Sequence, residues 1–365
     1  MLARKIPFGA VIALCIVSIS CWYLFTTIHP TRSQPHHEGQ ALIPGVLQDF
    51  VSGIRKSWNG TTTTDHGLRA FGQNEDLILY AYSESEAALE NIAFFRRHAL
   101  HSKADFIFIF NGQHTVETSE LRHLPNVRVI ERENTCLDLG AYWEVLRADD
   151  SRLARAYKRY ILMNASLRGP FLPSSSRSVC WSDAYMDRLD DVTKLVGMTW
   201  NCAKGEGFAP HLQSMIWAMD AVSLNEVILP SLRCFADMAD TVANGELVIS
   251  GKVMDAGYDV VAMEGRFNSH RRPKVGSGSA GVEGGSKKES ETFLEWCRGP
   301  ESQESQGTGA SDVHRTGMYE GVSIHPWDTI FAKTNREWEE QDRKIIDLLT
   351  KFADDEMYSS YDRCG

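Results

Sequence analysis

An α/β domain with a mostly parallel central sheet flanked by helices is the fold this sequence predicts, on three observations. Short apolar runs such as FIFIF, residues 106–110, have the length and aromatic or β-branched content of strands buried on both faces. Between the first two such runs lies a stretch with apolar residues at helical spacing, and segments alternating in this way build parallel sheets. The chain has 365 residues, 43% hydrophobic and 24% charged, which is ample to bury a core.

The globular pattern starts near Phe71. Residues 76–82, DLILYAY, read as a strand, and over 86–100 Ala88, Ile92, Phe95 and Ala99 recur at helical spacing. Residues 106–110 and 127–130 are further strands. A helix over 141–146, running on through 151–157, leads into a central strand at 160–163. Downstream, 194–199 predict a strand, 213–235 a long helical region broken at Pro230, and 258–263 a last strand. Residues 274–316 are rich in Gly, Ser, Glu and Gln, a composition that supplies too little burial to order a chain. They read as a mobile insertion holding one short helix at 293–297.

The N-terminus bears on compartment. Arg4 and Lys5 precede residues 6–28, IPFGAVIALCIVSISCWYLFTTI, a charge-free run long enough for a bilayer, which needs about 20 apolar residues. This predicts an uncleaved signal anchor with residues 1–5 cytoplasmic and the remainder lumenal. Ser18-Ile19-Ser20 leaves a cleaved signal peptide as the alternative. Residues 29–70 read as a stem, with Asn59-Gly60-Thr61 as a glycosylated sequon. Cys136, Cys180, Cys202, Cys234, Cys297 and Cys364 show no CxxC spacing and no accompanying His cluster, so they predict disulfides of an oxidising lumen, with the pairing open. A net charge of -10 with scattered basic residues argues against a nucleic-acid partner. A hydrolase is disfavoured because neither G-x-S-x-G nor H-E-x-x-H occurs.

In open α/β sheets, ligands sit beyond the carboxyl ends of the strands. Loops 131–138 and 164–169 each follow an apolar strand, so they point at one crevice. Asn134, Asp138, Asn164 and Ser166 supply amide, carboxylate and hydroxyl groups suited to a ribose, a base edge or a metal-bound diphosphate. Each also has a plainer reading. Asp138 suits a helix N-cap, and Asn164-Ala165-Ser166 is formally a sequon at the end of a buried strand. Trp181 and Trp217 read either as sugar-stacking platforms or as core.

These residues resemble a known family. RENTCLDLGAY, residues 132–142, followed by YILMNASLRGPF, 160–171, is similar to the rhamnan-synthesis-type glycosyltransferases. It is similar too to the wider GT-A pattern, in which an Asn-x-Gly loop and a helix precede a strand ending in Asp-x-Asp. IHPWDTIFAKTNR, 324–336, resembles the terminal motif of that group's eukaryotic relatives. The resemblance covers residues 71–173 and 324–336. It implies a GT-A-like single domain over 71–365, a nucleotide-sugar donor, a glycan or glycoconjugate acceptor, and, with the anchor, a single-pass type II protein of the Golgi membrane. Asn134 and Asp138 would lie near the nucleotide, and Asn164 and Ser166 where the metal-binding carboxylates stand.

The sequence departs from that pattern where Asn-Ala-Ser replaces Asp-x-Asp and Cys136 replaces Gly. A divalent ion prefers carboxylate oxygens, so two expectations stand side by side. Either Asn164, Ser166 and His325 hold Mn²⁺ or Mg²⁺, or cations among Arg168, His325, Lys333 and Arg336 meet the leaving-group charge. An inverting transfer also needs a base, for which Asp138, Asp183, Asp220 and Glu264 are candidates. The missing Asp-x-Asp keeps a second function open, a non-catalytic glycan-binding or scaffold protein of the same fold.

Overall fold

The computed structural model describes residues 69–176, 178–202, 209–270, 287–299, 312–319, 321–336 and 339–364. The expected signal anchor, nearly all of the stem and Asn59 lie outside them. Among the described residues no helix is long and apolar enough to cross a membrane.

Strands β1 (Asp76–Tyr82), β2 (Ala104–Asn111), β3 (Val127–Arg132) and β4 (Arg159–Asn164) are parallel, in the spatial order β4-β1-β2-β3. Successive side chains of a strand point to opposite faces, so Leu77, Leu79 and Ala81 enter one core cluster while Ile78, Tyr80 and Tyr82 enter the other. With both faces covered, β1 reads as an unbroken apolar run rather than an alternation. Helix α1 (Glu86–His98) crosses from β1 to β2, capped by the Ser85 hydroxyl, with Ala88, Ile92 and Phe95 buried in the second cluster. Helix α2 (Ser119–His123) precedes β3. Helix α3 (Leu137–Ala156) joins β3 to β4 and is interrupted at Ala148–Ser151, where Asp149, Asp150 and Ser151 take positive φ.

After β4 come β5 (Leu167–Arg168), α4 (Trp181–Met186), β6 (Thr193–Gly197), β7 (Trp200–Asn201) and β8 (His211–Leu212). The helical region expected at 213–235 is corrected in its first third. Ile216–Asp220 is strand β9, antiparallel to both β4 and β6, and β10 (Asp259–Ala262) completes the seven-stranded sheet parallel to β6. A short run buried on both faces carries no period that separates strand from helix. Helical structure begins only after Asp220, whose carboxylate caps α5 (Ala221–Ser223), and continues through a π-helical turn, Leu224–Ile228, into α6 (Leu229–Ser231). Helix α7 (Met238–Thr241), a second π-helical turn, Val242–Glu246, and α8 (Leu247–Asp255) then lead to β10.

Parts of the Gly- and Ser-rich tract belong to the core. Helix α9 (Glu289–Arg298) lies where a short helix was expected, and its Phe293 stacks on Trp200 at 4.1 Å. Val313 and His314 are buried as well. The chain ends through α10 (Pro326–Thr329), β11 (Ala332–Lys333), antiparallel to β5, and α11 (Glu340–Asp355). Six cysteines form the disulfides Cys136–Cys234, Cys180–Cys364 and Cys202–Cys297, so all six that were expected to pair do so. Trp181 and Trp217 are fully buried, which makes them core rather than sugar platforms.

A buried histidine gives the fold a measurable acid sensitivity. His101 sits against Phe106 and Trp181, with Nε2 3.1 Å from the Ser182 hydroxyl. Burial pulls its pKa down to about 3, and the nearby Lys103 charge acts in the same direction. Below about pH 6.5 the unfolded chain binds a proton that the native state refuses. Stability is therefore present above that pH and is lost as pH falls toward 3. His101→Phe removes this proton, so its unfolding free energy should change less with pH than the wild type's, by about 3 kcal/mol between pH 6.5 and 4. Urea unfolding at both pH values measures the difference. Equal slopes would mean that His101 does not stay neutral in the fold.

Candidate functional site

At the carboxyl ends of β1 to β4 the chain opens a crevice of about 550 Å³. Parallel strands release their loops on one side of a sheet, which is why Ser83, Asn111, Asn134 and Asn164 meet there. Asn134 donates to the Ser83 hydroxyl at 3.2 Å and is otherwise exposed to the crevice. Asp138 lies in the first turn of α3, and its Oδ2 accepts from Asn164 Nδ2 at 2.6 Å. The Asn164 Oδ1 accepts in turn from Ser166 N at 3.1 Å and Ser166 Oγ at 2.6 Å. The triplet is thus folded onto itself and tethered to Asp138.

The facing wall comes from distant sequence. His211 of β8, Ser214, Glu246 at the end of the second π-helical turn, Asp312, and Lys333 and Arg336 at and beyond β11 line it. Ser214 Oγ donates to Glu246 Oε2 at 2.7 Å, and His211 Nε2 lies 3.4 Å from Glu246 Oε1. Arg336 pairs with Asp312 at 2.7 Å. Lys333 is held in place by the β5–β11 pairing, which sets it opposite Leu167, while Thr334 N donates to Ser166 O at 2.9 Å. The last strand is therefore bonded directly to the Asn-Ala-Ser turn.

Electrostatics distinguish the carboxylates. Burial pushes the Asp138 carboxyl above its usual range and repulsion from Glu246 adds to this, against the hydrogen bond from Asn164. Glu246 is also raised by burial, but its bond to His211, with Ser214 and Lys333, outweighs that and leaves its pKa lowered. At Asp312 burial is likewise overcome, by Lys333, His314 and Arg336. Burial lowers the pKa of Lys333, opposed by the charges of Asp312, Glu246 and Asp138. One carboxyl of the crevice, Asp138, thus binds a proton more readily than usual, while Glu246 and Asp312 hold theirs less readily beside Lys333.

The crevice brings together Asn134, Asp138, Asn164, Ser166, Lys333 and Arg336 from the sequence-derived set. The others stand elsewhere, and the correction has a physical reason in each case. Asp220 ends a strand antiparallel to β4, so it stands opposite Arg159 at the amino end of the parallel strands, away from the crevice, where it caps α5 and binds Lys194. Asp183 sits on α4 in an ion pair with Lys103. Glu264 is fully buried, accepting from Trp200 N and pairing with Arg266. Arg168 points away from the crevice into a buried contact with Asn91 and Glu90. His325 caps α10 by accepting from Trp327 N and does not line the crevice.

Asn164, Ser166 and His325 do not fit a divalent metal site. The Asn164 amide oxygen already accepts two hydrogen bonds, which fills both of its lone pairs, and His325 is absent from the lining. Among the described residues, the clusters of His, Cys, Asp or Glu atoms compact enough for an ion all include disulfide-bonded cysteines. The Lys333 side chain also lies among the crevice carboxylates.

No family model matches the chain, and no curated protein matches it. Among solved structures it is similar to the mannosyltransferase PcManGT from Pyrobaculum calidifontis, in complex with GDP-Man and Mn²⁺. That likeness has a TM-score of 0.33 at 10% identity, and covers 60% of this chain and 62% of the mannosyltransferase.

His211, Glu246 and Asp312 were not anticipated from the sequence. Each belongs to an irregular or very short element, and none shares a motif with another. A weak signal existed for Asp312 and His314, an Asp-x-His ending a polar tract shortly before residues 324–336.

Proposed function

We propose that the protein transfers a glycosyl group from a nucleotide-sugar donor to a hydroxyl of a glycan or glycoconjugate. One observation supports this above all, the meeting of Asp138, Asn164 and Ser166 with Lys333 and Arg336 in one crevice at the strand ends. Amide and hydroxyl groups suit a ribose and a sugar, and cations suit a diphosphate. In this reading the bond from the sugar C1 to the diphosphate oxygen breaks, and its electron pair leaves with the diphosphate. The acceptor oxygen forms the new bond to C1, and its proton passes to Asp138, whose raised pKa suits a base. The same proposal places the chain as a type II Golgi protein with this domain in the lumen, supported by residues 6–28 and by three disulfides.

The replacement of Asp-x-Asp by Asn-Ala-Ser favours a second reading, a glycan-binding protein without transfer activity. Thermal melting separates the two. A ligand of the native state at about 100 times its Kd adds roughly 2.7 kcal/mol. Nucleotide sugars or nucleoside diphosphates of one base are expected to raise the Tm of the purified full chain. Shifts with glycans alone support the second reading, and no shift with any nucleotide sugar contradicts the first.

A further inference from the structure

We propose that Lys333 is the built-in counter-cation of the crevice, binding the diphosphate of the nucleotide sugar so that no divalent ion is needed. The proposal rests on the nucleotide-sugar reading above and goes beyond it by naming what replaces the metal. Its first ground is position. Lys333 is 9% exposed yet lines the crevice, on a two-residue strand whose pairing with β5 fixes it beside the Asn-Ala-Ser turn. The next residue bonds back to Ser166 through Thr334 N, so the ammonium arm is anchored at its base by backbone.

The second ground is charge. Asp138, Glu246 and Asp312 all act electrostatically on Lys333, whereas Arg336 is engaged by Asp312 at 2.7 Å. Desolvation lowers the pKa of Lys333, and the charges of Asp312, Glu246 and Asp138 oppose that loss. A divalent cation entering the same space would compete with Lys333 for those carboxylates. A diphosphate entering it exchanges protein carboxylates for phosphate oxygens as partners of Lys333.

The third ground is the triplet. Its amide oxygen accepts from both Ser166 N and Ser166 Oγ, so the loop after β4 presents a closed, neutral turn. A neutral turn does not repel a diphosphate approaching Lys333. The chemistry of the crevice is thus that of a fixed monovalent cation next to a neutral loop.

Calorimetry on the full-length protein tests this with UDP and GDP as probes, in EDTA and then in Mn²⁺ or Mg²⁺. The diphosphate that binds is expected to do so in EDTA with a Kd within about threefold of its value with metal. Lys333→Met should weaken that diphosphate by at least about 30-fold and change binding of the parent nucleoside by less than threefold. Lys333→Arg, which keeps the charge, should retain metal-independent binding. Loss of wild-type binding in EDTA overturns the proposal while leaving the nucleotide-sugar reading intact, and so does unchanged diphosphate binding by a folded Lys333→Met protein. If Lys333→Met does not fold, the EDTA arm and Lys333→Arg still decide. Absence of binding by either diphosphate, with or without metal, overturns both readings.

Discussion

Under the proposed glycosyl transfer, Asp138→Ala is expected to lower turnover by about 10²–10⁴-fold, the range a positioned acid or base contributes, while the protein stays folded. Three features make the effect large. The carboxyl faces the crevice, burial and Glu246 raise its pKa, and its Oδ2 is aimed by a 2.6 Å bond from Asn164. The structural cost is small, because removing the carboxylate leaves the Asn164 amide facing the crevice, where water can replace the lost partner. Asp138→Asn should be nearly as inactive, since an amide cannot take the acceptor proton. In the wild type the base must be ionised, so the rate should rise with pH through a limb displaced above about 3.9, the ordinary aspartate value. A Tm close to wild type together with lost turnover identifies a site residue, and wild-type kinetics in either variant would remove Asp138 from the chemistry.

Gly140→Ala destabilises the protein by about 3 kcal/mol, at the upper end for a single added methyl in a packed site. Gly140 lies in the first turns of α3, against the Cys136–Cys234 disulfide. A Cβ there would stand 2.4 Å from Cys136 Cβ, 3.2 Å from Arg233 O and 3.4 Å from Cys234 Cα. Two of these contacts are backbone and the third belongs to a crosslinked side chain, so neither side can yield cheaply. The same close approach brings Gly245 against Leu139 and Phe235, just before Glu246 of the facing wall. Denaturant unfolding should show the loss directly, and a midpoint unchanged from wild type would contradict this packing.

What could be read from the sequence divides along a physical line. The strands β1, β2, β3 and β4 and the helix α1 were legible because one local pattern specified each of them. The loops after β3 and β4 followed, since parallel strands must open on one side, and this brought Asn134, Asp138, Asn164 and Ser166 correctly to one place. Strand β9 was not legible, because IWAM is buried on both faces and imitates a core helix. That one direction error carried Asp220 with it, from the crevice to the amino ends of the parallel strands. Glu264 and Arg168 failed differently. Their charges are spent on Arg266, Glu90 and Asn91 within the fold, and only three-dimensional contacts reveal such pairing. The facing wall needed tertiary structure altogether, for Glu246 and Asp312 reach Lys333 across long loops that no spacing rule encodes.

Release of nucleoside diphosphate from a nucleotide sugar, followed in a single turnover with wild-type and Asp138→Ala protein, tests the central claim most directly. The account predicts that wild-type protein consumes the donor that raises its Tm and passes the sugar to an acceptor hydroxyl. Asp138→Ala should bind that donor and leave it intact. Donor consumption at equal rates by both proteins, or none by the wild type with any donor that binds, would contradict glycosyl transfer in this crevice.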